Sequence, residues 1–201
     1  KFGLSLILGL AISSYAQVDA CSETMGHTGN GTTITNNQTG SISGTPWGFE
    51  IWFDGGNNSM TYYNNGTFKA QWSGSNDFLA RVGYRYGDNG PGIDHNDYHF
   101  TVDYKYTKQS QSAGYGYIGV YGWTVNPQVE YYIVDDWYSK PNTQYIGDQF
   151  GEITVDGAKY TIHAFLRQEE PSKTGTSTFL QIFSVRQTPR QCGHIDISAH
   201  F

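Results

Sequence analysis

The residues best placed to do chemistry lie in one run, Tyr117 to Trp137, which reads YIGVYGWTVNPQVEYYIVDDW. Successive side chains of a strand point to opposite faces. Tyr117, Gly119, Tyr121 and Trp123 therefore share one face of a first strand, and Glu130, Tyr132 and Val134 share one face of a second. Asn126-Pro127 turns the chain between them. If the two strands pair, Glu130 stands on a surface paved with tyrosine rings and hydroxyls. Sugars bind such surfaces, because an aromatic face covers the C–H side of a pyranose while hydroxyls take its polar edge. A carboxylate there could attack or stabilise an anomeric carbon. An ordinary solvent-facing glutamate in an alternating strand fits the same spacing. His95 and His99 are four apart, a spacing that converges on a helix, but they lie in and before a strand, so no metal site is expected.

The elements that must position these residues are strands. Period-2 alternation recurs along the chain, as in Tyr98 to Tyr106, where the even positions are apolar or aromatic and the odd ones polar. Asp54-Gly55-Gly56, Asn64-Asn65-Gly66 and Asp156-Gly157 interrupt the runs with residues that tolerate positive φ, as hairpin turns require. The 25 Gly, 16 Tyr, 11 Phe and 5 Trp, set against seven Leu of which four fall in the first ten residues, leave a body poor in helix formers. No apolar stripe of helical period occurs beyond that start. Together these features predict an all-β fold, a two-sheet antiparallel β-sandwich of jelly-roll type with an aromatic-lined cleft.

Residues 1–16 carry Lys1, a short apolar run and small residues at Ser14 and Ala16, the pattern of a signal peptide cleaved after Ala16. This predicts a secreted, extracellular protein. Residues 17–45 form a Gly/Asn/Thr-rich segment expected to be loop with at most an edge strand, and residues 46–201 a single domain. With 18 acidic against 12 basic side chains and no basic cluster, there is no footprint for nucleic acid or for an anionic membrane. A neutral polyhydroxylated partner fits better. Cys21 and Cys192 could form a disulfide in an exported chain, or remain unpaired, since sequence gives no Cα separation. Asn30, Asn37, Asn57 and Asn65 each open an Asn-x-Ser/Thr sequon.

The run from Gly122-Trp123 through Asn126-Pro127 to Glu130-Tyr131-Tyr132-Ile133-Val134 resembles the nucleophile signature of glycoside hydrolase family 11, the single-domain endo-1,4-β-xylanases. The likeness extends from about Pro46 to Phe201. Trp47 to Gly56 resembles the family's first long strand and turn, Pro171-Ser172-Lys173-Thr174-Gly175 its thumb loop, and Gln181 to Arg186 the strand that follows. The resemblance implies hydrolysis of internal linkages of xylan by a retaining double displacement, without cofactor or metal, by a monomer. Position by position, it implies Glu130 as nucleophile, and Tyr121 and Tyr132 as tyrosines bonded to the nucleophile or the proximal sugar. Tyr117 becomes a ring lining the cleft, Trp52 the indole under a distal xylose, Arg167 and Gln181 polar groups on the proximal sugar, and Pro171 part of the thumb. Asp77 falls where the family carries Asn or Asp against its acid/base residue. An Asp there implies an acid-shifted pH optimum, because two carboxylates in contact resist simultaneous ionisation.

A retaining glycosidase needs two carboxyl groups about 5–5.5 Å apart. The family's acid/base Glu lies on its last strand, and Ser198-Ala199-His200-Phe201 resembles the strand leading to the helix before it. The sequence thus predicts a C-terminally truncated, impaired enzyme. Lys173 replaces an apolar residue at the thumb tip, and Phe183 stands where Trp is frequent. A non-catalytic carbohydrate-binding β-sandwich module with the same aromatic cleft is the alternative, and a structural extracellular β-protein a third.

Overall fold

The structure, a computed structural model, describes residues 19–24, 26–86, 93–109 and 114–201. The signal segment predicted at 1–16 lies outside them. Thirteen strands follow among the described residues, in order: β1 Thr32–Ile34, β2 Gln38–Ser41, β3 Trp47–Asp54, β4 Ser59–Tyr62, β5 Phe68–Gln71, β6 Asp77–Tyr84 and β7 Thr101–Lys105. Then come β8 Tyr117–Val125, β9 Gln128–Trp137, the short helix α1 Thr143–Ile146, β10 Asp148–Val155, β11 Ala158–Ser172, β12 Gly175–Arg186 and β13 Cys192–Asp196. The all-β expectation holds. The turns fall where glycine and its neighbours allow them: Asp156 and Gly157 both take positive φ between β10 and β11, as a two-residue hairpin demands.

The strands form two facing layers, each split into two ladders. In one layer β2-β3-β6 lies beside β10-β11-β12-β9-β8; in the other lie β1-β4-β5 and β13-β7. Ile34, Met60 and Tyr62 of the second layer pack on Phe49, Ile51, Ala80 and Val82 of the first. Val102, Tyr104 and Ile195 pack in the same way on Val120, Ile133, Val155 and Tyr160. Removing these apolar faces from water joins the layers. The segment expected to hold at most one edge strand contains two, β1 and β2, both at ladder edges. One pair departs from antiparallel order: β9 and β12 run parallel, with Glu130 opposite Gln181. The chain leaves β9, passes α1 and the β10–β11 hairpin, and returns in the same direction beside it.

β9 also carries a bulge. Ile118 pairs with Asp136 but Gly119 pairs with Val134, so Asp135 is the extra residue. An extra residue lets two neighbours project to one side, and Asp135 and Asp136 both reach the β7 layer. Asp135, fully buried, accepts from Tyr104 and Tyr160 (each 2.6 Å) and from Arg190 Nε (2.6 Å). Asp136 accepts from the Tyr106 hydroxyl and from Lys108 Nζ. Buried carboxylates persist only when paired and bonded in this way. The other end of the chain is tied down covalently: Cys21 is bonded to Cys192 with the Cα atoms 5.1 Å apart, and Lys105 Nζ donates to the Cys21 and Glu23 carbonyls beside it.

Candidate active site

Pairing of β8 with β9 sets Tyr121 opposite Tyr132 and Trp123 opposite Glu130. The carboxylate ends in a shell of donors. Oε1 accepts from the Tyr121 hydroxyl at 2.7 Å and the Tyr132 hydroxyl at 2.8 Å, and Oε2 accepts from the Gln181 amide. A carboxylate offers about four acceptor positions, so one has no donor among the described residues. The expectation that Glu130 faces outward meets a difference: it is only 6 % exposed, because β12 and the rings flank it. Burial, then the Glu130 charge, pushes the Tyr121 hydroxyl up; burial, then Tyr121 and Glu130, does the same for Tyr132. Both phenols therefore stay protonated and act only as donors toward the carboxylate.

Behind this shell stands a second one. Trp123 Nε1 donates to the Tyr121 hydroxyl at 2.8 Å, and Arg167 Nε donates to Gln181 Oε1 at 2.9 Å, which fixes the orientation of the amide that points at Glu130. The Arg81 guanidinium lies 4.5 Å over the Tyr121 ring and bonds Glu50 across the β3–β6 ladder. Tyr132 stacks on Phe183 at 4.4 Å. Of the residues singled out in the sequence, Glu130, Tyr121, Tyr132, Gln181 and Arg167 are thus brought into one bonded network. Tyr117 joins through rings, 6.2 Å from Phe183.

Three stand further out. Trp52 is 43 % exposed on β3, on the same face as Glu50. Pro171 is exposed on the β11–β12 hairpin, opposite Thr176. The tip of that hairpin bends to the start of β9, where Thr174 Oγ1 donates to Gln128 Oε1 and Gln128 Nε2 to Ser177 Oγ. Asp77 begins β6 with its Oδ1 accepting from the Phe78 amide, and its charge helps raise the Tyr132 hydroxyl. Arg81, Glu50 and the donor role of Trp123 were not foreseen. Glu50 and Arg81 are opposite charges in register, a signal visible only once β3 is known to pair with β6 across two intervening strands.

A nearly buried carboxylate, oriented at both oxygens by three donors, thus stands among the rings of β8, β9 and β12. The profile of glycosyl hydrolases family 11 matches residues 46–201. The chain belongs to that family.

Endo-1,4-beta-xylanase C of Fibrobacter succinogenes is 52 % identical to this chain over 194 residues, which cover 92 % of this chain and 31 % of the relative. Endo-1,4-beta-xylanase S20 of Neocallimastix patriciarum is 44 % identical over 98 % of this chain and 59 % of its own length. The family 11 chain therefore spans roughly a third to three fifths of these two relatives. The crystal structure of wild-type ENZbleach xylanase superposes with a TM-score of 0.82 at 34 % identity, covering 94 % of this chain and 79 % of that one.

Proposed function

We propose that this family 11 domain is the catalytic unit of a secreted endo-1,4-β-xylanase that cleaves internal β-1,4 linkages of xylan with retention, Glu130 being the nucleophile. The observation that carries the proposal is the Glu130 carboxylate, nearly buried and oriented at both oxygens by Tyr121, Tyr132 and Gln181. Attack through the open position forms a bond from Glu130 to the anomeric carbon as the leaving oxygen departs; water then returns the sugar with its original configuration. The two phenols and the amide hold the carboxylate still for attack and stabilise it again when it leaves. Trp52, Tyr117, Arg167, Gln181 and Pro171 bind the xylan chain along the cleft.

The second carboxyl is proposed to come from outside these 201 residues. Among the described residues, no Asp or Glu other than Glu130 is hydrogen-bonded to Tyr121, Tyr132 or Gln181. Among the described residues β6 and β8 each end a ladder, and Arg81 of β6 reaches over the Tyr121 ring of β8. Without a general acid, xylan turnover falls by about 10²–10⁴-fold, whereas a dinitrophenyl xylobioside needs no protonation to leave. The 201 residues are expected to cleave that glycoside, with the β-anomer of xylobiose appearing first by NMR, and to act slowly on xylan. First appearance of the α-anomer rejects retention. Oligosaccharide binding with no cleavage of the activated glycoside leaves the binding-module alternative.

Asp77 is proposed to set the pH response, as a carboxylate at the cleft end of β6 within electrostatic reach of Tyr132. In a full-length enzyme, Asp77→Asn moves the activity optimum to higher pH. An optimum that stays in place removes Asp77 from the titrating group.

A further inference from the structure

The row of rings that starts at Glu130 runs on past Tyr117. Tyr121 lies 4.8 Å from Tyr132, Tyr132 stacks on Phe183, and Phe183 meets Tyr117 edge-on. From there Tyr117 contacts Tyr115 at 5.9 Å, and Tyr115 stacks on Tyr145 at 5.1 Å with the planes 23° apart. Exposure changes along this row. Phe183 is buried, while Tyr115 and Tyr145 are 52 % and 46 % exposed.

Both outer rings are held in place. Tyr115 enters β8 beside Gly116, whose carbonyl accepts from the Tyr138 amide at 3.0 Å. Tyr145 sits on α1, which Asn142 caps through Gln144 N and which the buried Ile146 pins against Phe183, Val134 and Val185. Gly147 closes the helix with φ +83, and its carbonyl meets His163 Nδ1 at 3.0 Å. A side chain at Gly147 would strike the Ala164 carbonyl, so only glycine brings α1 this close to β11. Burial, and after it the neighbouring phenols Tyr115 and Tyr145, pushes the Tyr117 hydroxyl up to about 12.

We propose that Tyr115 and Tyr145 form a further sugar subsite, which takes a xylose unit of the same β-1,4-linked chain beyond the one lying over Tyr117. The subsite is reached from Glu130 along β8, whereas Trp52 is reached across β6, so the two lie on different arms of the cleft. Exposed ring faces with hydroxyl rims continue the same surface that receives sugar nearer the carboxylate. The inference rests on the xylan reading of the cleft.

Calorimetric titration of the 201-residue protein with xylobiose through xylohexaose tests it without requiring turnover. Affinity is expected to rise with chain length. Tyr145→Ala and Tyr115→Ala weaken xylohexaose by about 5- to 10-fold each, the worth of one aromatic contact. Xylobiose affinity is expected to stay unchanged, which also shows that each variant is folded; Tyr145→Phe, which keeps the ring, retains most of the xylohexaose affinity. Variants that bind every length as the parent does overturn the subsite. Equal weakening at every length overturns it as well, because the rings then serve the cleft as a whole. If the parent itself binds none of the oligosaccharides, the xylan reading fails and not merely this extension of it.

Discussion

Glu130→Gln lowers turnover of a dinitrophenyl xylobioside by about 10⁴- to 10⁶-fold, the scale on which hydrolases lose activity when a covalent nucleophile is removed. The amide keeps the shape of the carboxylate but cannot form the glycosyl ester. Tyr121→Phe provides the contrast. It removes one of three bonds to Glu130, and a hydrogen bond to a charged group contributes about 1.5–3 kcal/mol, so the loss is roughly 10- to 100-fold. A structural glutamate would give the opposite ranking, with little effect of an isosteric amide on rate and a larger one on stability. Added azide should restore turnover to Glu130→Ala and yield the α-glycosyl azide, since the small anion enters the face that the carboxylate vacated. Glu130→Gln retaining a tenth of the parent rate would remove the residue from the chemistry.

Loss of the Cys21–Cys192 bond has the largest expected effect on stability. The bond closes a loop with a sequence separation of 171, so in the chain-entropy picture it restricts the unfolded ensemble by about 5 kcal/mol. For a domain of this size that corresponds to about 10–20 °C in Tm. Paired Cys21→Ser and Cys192→Ser substitutions, or reductant alone, should lower the thermal midpoint by that order in circular dichroism. The folded state contributes too, because Lys105 holds the Cys21 and Glu23 carbonyls against the β13–β7 ladder only while that segment stays beside it. An unchanged midpoint under reducing conditions would show that the segment adds nothing to the cooperative unit.

The hairpin that carries Glu130 was legible in sequence because two local signals agree. Alternation put Glu130 and Tyr132 on one face, and Asn126-Pro127 marked the turn, which β8 and β9 flank. Register was not legible beyond that hairpin. Gln181 stands opposite Glu130 through a parallel pairing across some fifty residues, and no local pattern encodes such a partner. The family likeness named Gln181 and Arg167 as sugar-holding groups; that they are also linked in series to the carboxylate was not legible. The bulge at Asp135 escaped notice for a related reason. A strict period of two assigns Asp135 and Asp136 to opposite faces, and one extra residue sends both to the β7 layer. Tyr145 lay in a polar connection with no periodicity, and only the packing of Ile146 brings its ring to Tyr115. The cysteine pair needed a Cα separation that sequence does not contain.

The central claim is that Glu130 bonds directly to sugar. Incubation with a dinitrophenyl 2-deoxy-2-fluoro-β-xylobioside tests this most directly, because the fluorine slows hydrolysis of the glycosyl-enzyme and the activated leaving group dispenses with the acid. Mass spectrometry of the digested protein should show one fluoro-xylobiosyl adduct, on the peptide containing Glu130, and none in Glu130→Gln. An adduct on another carboxylate, or an unlabelled protein that nonetheless cleaves the unfluorinated glycoside, would contradict the assignment.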